Sequence, residues 1–126
     1  MIVSRDIDLQ AMEKSRAYEG LYFVLGGTVP ILDDAPQRRI RQTELEETVT
    51  SRSNDIAGGS PLKEIIVATS VNPEGEHTAL YIGTLLKPIA EGKNIKITTL
   101  GRGLSTGTEI EYSDADTIKS ALENRK

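Results

Sequence analysis

Glu64 to Ala79 reads EIIVATSVNPEGEHTA, and this stretch decides the fold. Ile65, Ile66 and Val67 form a β-branched run without polar alternation, the pattern of a parallel strand buried on both faces. The turn residues Ser70, Asn72 and Pro73 stop it, and a helical pattern begins with Glu74 and Glu76 in its first turn. A strand, a polar turn and a helix in that order are one step of an α/β fold. Ligands of such folds sit beyond the carboxyl ends of the strands. Thr69 to Glu76 is therefore the first place to look for a site.

Other segments repeat the alternation. Met1 to Val3 is strand-like from the first residue, as expected of a domain cut from a longer protein. A helix capped by Asp6 or Asp8 runs to about Ala17, with Leu9, Met12 and Ala11 on its apolar side and Glu13 and Lys14 in water. Gly20 ends it and releases a strand over 21–25. Gly26-Gly27 breaks that strand, and Thr28 to Pro36 is a loop rich in turn residues. Gln37 to Asn54 is charged, with a thin apolar stripe of Ile40, Leu45 and Val49, so a surface helix is expected. Ala57 to Pro61 is a surface loop. After the central strand, a helix from Pro73 to about Ala90 carries Ala79, Ile82, Leu86 and Ile89, with Pro88 expected to fray or kink its last turn. Ile95 to Leu100 is a fourth strand, and Gly101 to Gly107 a glycine-rich loop. A last helix, capped by Ser113 or Asp114, packs through Ile118, Ala121 and Leu122. Four strands alternating with helices predict a parallel sheet covered on both faces, with right-handed crossovers.

Composition narrows the function classes. The 126 residues suit one domain, and 27% charged with 37% hydrophobic residues suit a globular protein. No apolar run reaches the ~20 residues that span a bilayer, so no membrane role is expected. Cysteine is absent, which rules out disulfides and thiolate metal sites within this chain and fits a cytoplasmic protein. A single histidine, His77, cannot build an imidazole metal cluster and reads as a surface residue. The net charge of −4 argues against a bulk electrostatic grip on nucleic acid. Arg38, Arg39 and Arg41 are the one basic cluster, and Glu44, Glu46 and Glu47 follow to neutralise it.

Three long motifs, in matching order, resemble one family. ATSVNPEGEHTALYI (68–82) resembles the second acidic motif of TOPRIM domains, the fold of topoisomerases and primases. With DIDLQAMEKSRAYEGLYFVLGG (6–27) and LGRGLSTGTEIEYSDADTIKSALENR (100–125), it is similar to RecR-like recombination mediators. The segment 28–61 matches least. The resemblance implies a TOPRIM, Rossmann-like α/β fold: one domain over 1–126 with a four-stranded, mainly parallel sheet and helices on both faces. It also implies that this is the C-terminal part of a longer protein. The family's helix-hairpin-helix and zinc finger would precede it, so no zinc is expected in this segment.

A catalytic TOPRIM needs hard oxygen ligands for Mg²⁺: a glutamate after the first strand and an Asp-x-Asp pair after the central one. Here those positions are Ser4, Ser70 and Asn72. Asp8, Glu74 and Glu76 remain as weak Mg²⁺ candidates, so no cofactor and no catalytic residue is expected. Acids in a first helical turn also suit the helix dipole whatever the function. The resemblance implies instead that Asp8, Glu74, Glu76 and Arg102 contact partners or DNA. Arg102, between two glycines, could equally belong to a tight connection, and that loop is no P-loop. Tyr18, Tyr22, Tyr81 and Tyr112 read as half-buried packing residues with wet hydroxyls.

By resemblance, the expected function is non-enzymatic. RecR-like proteins form a ring that surrounds DNA and act with RecO- and RecF-like partners to load the recombinase in DNA repair. The alternative is a small Mg²⁺-dependent phosphodiester enzyme using Asp8, Glu74 and Glu76. A third reading is a stable scaffold with an unused site.

Overall fold

The computed structural model describes residues 1–53, 62–69, 72–100 and 115–125. Its elements are β1 (Ile2–Val3), α1 (Asp6–Ser15), β2 (Phe23–Val24), a 3-10 turn (Pro36–Arg38), α2 (Gln42–Ser53), β3 (Glu64–Ala68), α3 (Pro73–Lys93), β4 (Lys96–Thr99) and α4 (Ala115–Glu123). The strands form one sheet in the order β2-β1-β3-β4, and every pair is parallel. This is the expected four-stranded α/β sheet.

Both faces are apolar because alternate residues of the strands point opposite ways. Ile2, Ile65 and Val67 face one way and pack with Leu45 and Val49 of α2 and Ile82, Leu86 and Ala90 of α3. Val3, Ile66 and Ala68 face the other way and meet Met12 of α1 and Ile118, Ala121 and Leu122 of α4. A run with no polar alternation is what a strand between two helical layers requires. At the amino end of β3, Arg125 forks onto Glu64 (Nε to Oε2 2.7 Å, Nη2 to Oε1 3.2 Å), while Thr98 of β4 donates to the same carboxylate at 2.7 Å. Those charge-assisted bonds pin the end of α4 to the sheet and hold the Glu64 carboxyl below its ordinary range.

Several expectations are corrected. The N-cap position of α1 is Arg5 rather than Asp6 or Asp8, with Asp8 reaching back to its amide, and the helix ends at Ser15, because Arg16 takes a left-handed conformation (φ 57°). The second strand spans only Phe23–Val24, although the Leu25 N–H still bonds the Val3 carbonyl at 2.8 Å. The surface helix starts at Gln42 rather than Gln37, since Pro36 opens a separate 3-10 turn and Arg41 turns back to the sheet. There its guanidinium lies 5.0 Å from the Phe23 ring centre and donates to the Val24 carbonyl at 3.2 Å. Arg38, Arg39 and Arg41 thus share no helix face. Pro88 does not end α3, which continues to Lys93 and closes on Asn94 in the left-handed region. The tyrosines are only partly as expected: Tyr18 bonds the Leu21 carbonyl at 3.1 Å and Tyr81 bonds Gln42, but the Tyr22 hydroxyl is buried and unpartnered. His77 is half-buried rather than fully on the surface. The loops 57–61 and 101–107, Tyr112 and the cap of α4 lie outside the described residues.

Candidate functional site

The strand order places one crevice. From β1 the chain passes through α1 to β2 on one side, and from β3 through α3 to β4 on the other. The carboxyl ends of β1 and β3 therefore diverge, and ligands of open parallel sheets bind at such a point. Ser4 follows β1 there and Thr69 follows β3.

Ser4 is buried, and its hydroxyl has no hydrogen-bond partner. Its carbonyl accepts from the Gly26 N–H at 2.9 Å, so the backbone is fixed by the sheet while the side chain is not. Asp8 is also buried, and its Oδ2 accepts from the Arg5 N–H at 3.1 Å. An acid three residues into a helix that reaches back to the cap amide satisfies one of the orphan donors of the helix start.

Across the crevice, Asn72 caps α3 by accepting from the Gly75 N–H at 2.7 Å, with Pro73 in the first helical position. The Thr69 hydroxyl donates to the Gly75 carbonyl at 2.8 Å and so ties the end of β3 to the first turn of α3. Glu74 and Glu76 stand exposed in that turn. Two residues apart, they point to different sides of the helix. Glu74 is held by Thr28, whose hydroxyl donates to its Oε1 at 2.6 Å.

Thr28, Thr69 and Thr78 were not singled out from the sequence, yet they shape the rim. Thr78 is fully buried; its hydroxyl donates to the Glu74 carbonyl at 2.8 Å and accepts the Val29 N–H at 2.9 Å. It therefore clamps the loop after β2 onto α3. A threonine four residues after a candidate acid, within an apolar helical stripe, is the sequence signal that could have found it.

The donor set does not suit a dedicated Mg²⁺ cage. Asp8 faces a backbone amide, Glu74 faces a hydroxyl, Asn72 is neutral and engaged as a cap, and Ser4 offers a hydroxyl where the family pattern has a carboxylate. Among the described residues no three His, Cys, Asp or Glu side chains converge to hold a metal. Ser70 and Arg102 lie outside the described residues. Among those described, no helix is long and apolar enough to cross a membrane.

A parallel α/β sheet with this crevice is one a Toprim domain would have, and the Toprim domain family matches residues 1–101. The chain belongs to the Toprim domain family. Residues 103–126 match the family described as RecR, C-terminal. Over 126 residues the chain is 40% identical to the recombination protein RecR of Lactococcus lactis subsp. lactis (strain IL1403), covering 99% of this chain and 57% of the relative. It is 38% identical to RecR of Levilactobacillus brevis, with the same coverage. RecR of Citrifermentans bemidjiense is 36% identical over 124 residues, 98% of this chain and 57% of that protein. The chain thus spans a little over half the length of the relatives it matches.

Proposed function

We propose that this chain is the Toprim part of a RecR-like recombination mediator, working in the cytoplasm in DNA repair by homologous recombination. Its task is to dock RecO- and RecF-like partners while the recombinase is loaded, not to cleave phosphodiesters. One observation carries this reading: the similarity to RecR proteins runs along essentially the whole chain, while two of the three crevice acids, Asp8 and Glu74, are engaged in structural bonds. Glu74, Glu76 and Arg102 are the proposed contacts, and Asp8 contributes through the helix start that it holds. Carboxylates facing basic partner surfaces speed encounter and fix register more than they add affinity. DNA would be held by the complete assembly, since a net charge of −4 works against bulk electrostatic binding by this chain.

Fluorescence anisotropy with a labelled gapped duplex at moderate salt tests the DNA part. Weak or no binding by this chain is expected; tight, salt-sensitive binding overturns it. Mg²⁺-dependent cleavage of the same duplex that is lost in Glu76→Gln would replace docking by catalysis. Calorimetry with Mg²⁺ on Ser4→Glu should show no gain in affinity over the unsubstituted chain.

A further inference from the structure

Most exposed apolar residues here stand singly, as Ile7, Leu21 and Leu80 do, and single ones are ordinary on any surface. Ile31 and Leu32 are different. They are the two central residues of a β-turn closed by the Asp33 N–H on the Pro30 carbonyl at 3.2 Å. Leu32 is 92% exposed and Ile31 54%. Turn corners are ordinarily Pro, Asp, Asn, Gly or Ser, whose backbone preferences or local hydrogen bonds suit the turn. Leu32 at such a corner gains almost nothing from the fold that carries it, and Ile31 is only half covered.

The turn is also held on both flanks. Before it, Val29 is buried and its N–H is bonded by Thr78. After it, the Asp33 carboxylate accepts from the Ala35 N–H at 2.7 Å and from Arg39 Nε at 2.5 Å. An apolar tip on a fixed base forfeits little conformational entropy when it is buried by another molecule. The exposed charges of the loop itself are acidic, and Arg38 stands exposed in the 3-10 turn that follows it. Asp33 is neutralised by Arg39, whereas the exposed charges of loop 28–36 and of the first turn of α3 are Asp34, Glu74 and Glu76. Thr28, three residues before Ile31, joins that loop to Glu74.

We infer that the turn Pro30–Asp33 is the apolar anchor of a protein-docking surface. Its occupant is a partner protein presenting an apolar pocket flanked by lysines or arginines. This rests on the docking reading and deepens it: Ile31 and Leu32 fill the pocket, and the acids steer the approach. Apolar anchors act on dissociation and rim charges on association.

The test uses purified RecO-like and RecF-like proteins of the same organism as immobilised probes, with the unsubstituted chain, Ile31→Ser/Leu32→Ser and Glu74→Gln/Glu76→Gln in solution. Serine suits turn corners, so the first variant keeps the fold, which circular dichroism and thermal melting verify. The expected result is dissociation from one probe faster by about tenfold or more in the serine variant, with association unchanged. The glutamine variant should associate more slowly and lose its difference from the unsubstituted chain at high salt. If the chain binds a probe and the serine variant binds it equally well, the anchor is refuted and docking stands. If the chain binds neither probe, the docking reading falls, and the anchor with it. If sedimentation shows self-association that the serine variant abolishes while probe binding is unaffected, the occupant is a second copy and the proposed partner is wrong.

Discussion

Replacing Thr78 by valine keeps the shape of a fully buried side chain and removes one oxygen. Two hydrogen bonds disappear. The lost bond to the Glu74 carbonyl matters less, because a helical carbonyl keeps its main-chain partner. The bond from the Val29 N–H matters more, because Val29 is itself buried and its donor would be left with nothing. An orphaned buried donor costs about 1–3 kcal/mol, so a loss of about 2 kcal/mol is expected in urea unfolding. For a domain of this size that lowers the melting temperature by about 8 °C. Because the clamp fastens loop 28–36, hydrogen exchange at the Val29 amide should accelerate about 30-fold, the equivalent of 2 kcal/mol. Thr78→Ser is the control. It loses a methyl group, at a cost of about 1 kcal/mol, but keeps both bonds and hence the protection of Val29. A valine variant as stable as the unsubstituted protein, with Val29 still protected, would refute the clamp.

Two further outcomes are expected. Ser4→Ala removes a buried hydroxyl that has no partner and should raise stability by about 1 kcal/mol in urea unfolding; a loss of that size would contradict the unsatisfied state of the hydroxyl. Arg125→Ala removes the fork on Glu64 and should cost about 1 kcal/mol at pH 7. The arginine holds the folded pKa of Glu64 below its ordinary 4.5. The pair's stabilisation is therefore complete above 4.5 and fades as pH falls through the folded value. The gap between variant and unsubstituted protein should shrink in acid, and a constant gap would show that Arg125 acts only through its packing and its bond to the Leu122 carbonyl.

Much of this was legible from residue order. The unbroken run Ile65-Ile66-Val67 declared a strand with two buried faces, and the polar turn ending in Pro73 declared the start of α3; both are local statements about period and turn residues. The apolar spacing of Ile118, Ala121 and Leu122 likewise placed the face of α4. Asp8 was harder, because an acid early in a helix reads the same whether it caps, binds metal or meets a partner. Its burial and its bond to the Arg5 amide appear only in the fold, and neither is a property of the sequence. The end of α3 was less legible, because the penalty of Pro88 is local, while the burial of Leu86 and Ala90 that carries the helix on to Lys93 is not.

The sequence by itself determined the alternation of strands and helices, the apolar faces and the likeness to RecR, since period and composition act over a few residues at a time. Only the tertiary structure decided what the crevice is made of. Thr28 meets Glu74 across 46 residues and Val29 meets Thr78 across 49. No local pattern encodes such pairs, because they form only when the sheet order has brought the loop after β2 against α3. That same order leaves Ile31 and Leu32 exposed on the loop that Thr28 ties to Glu74.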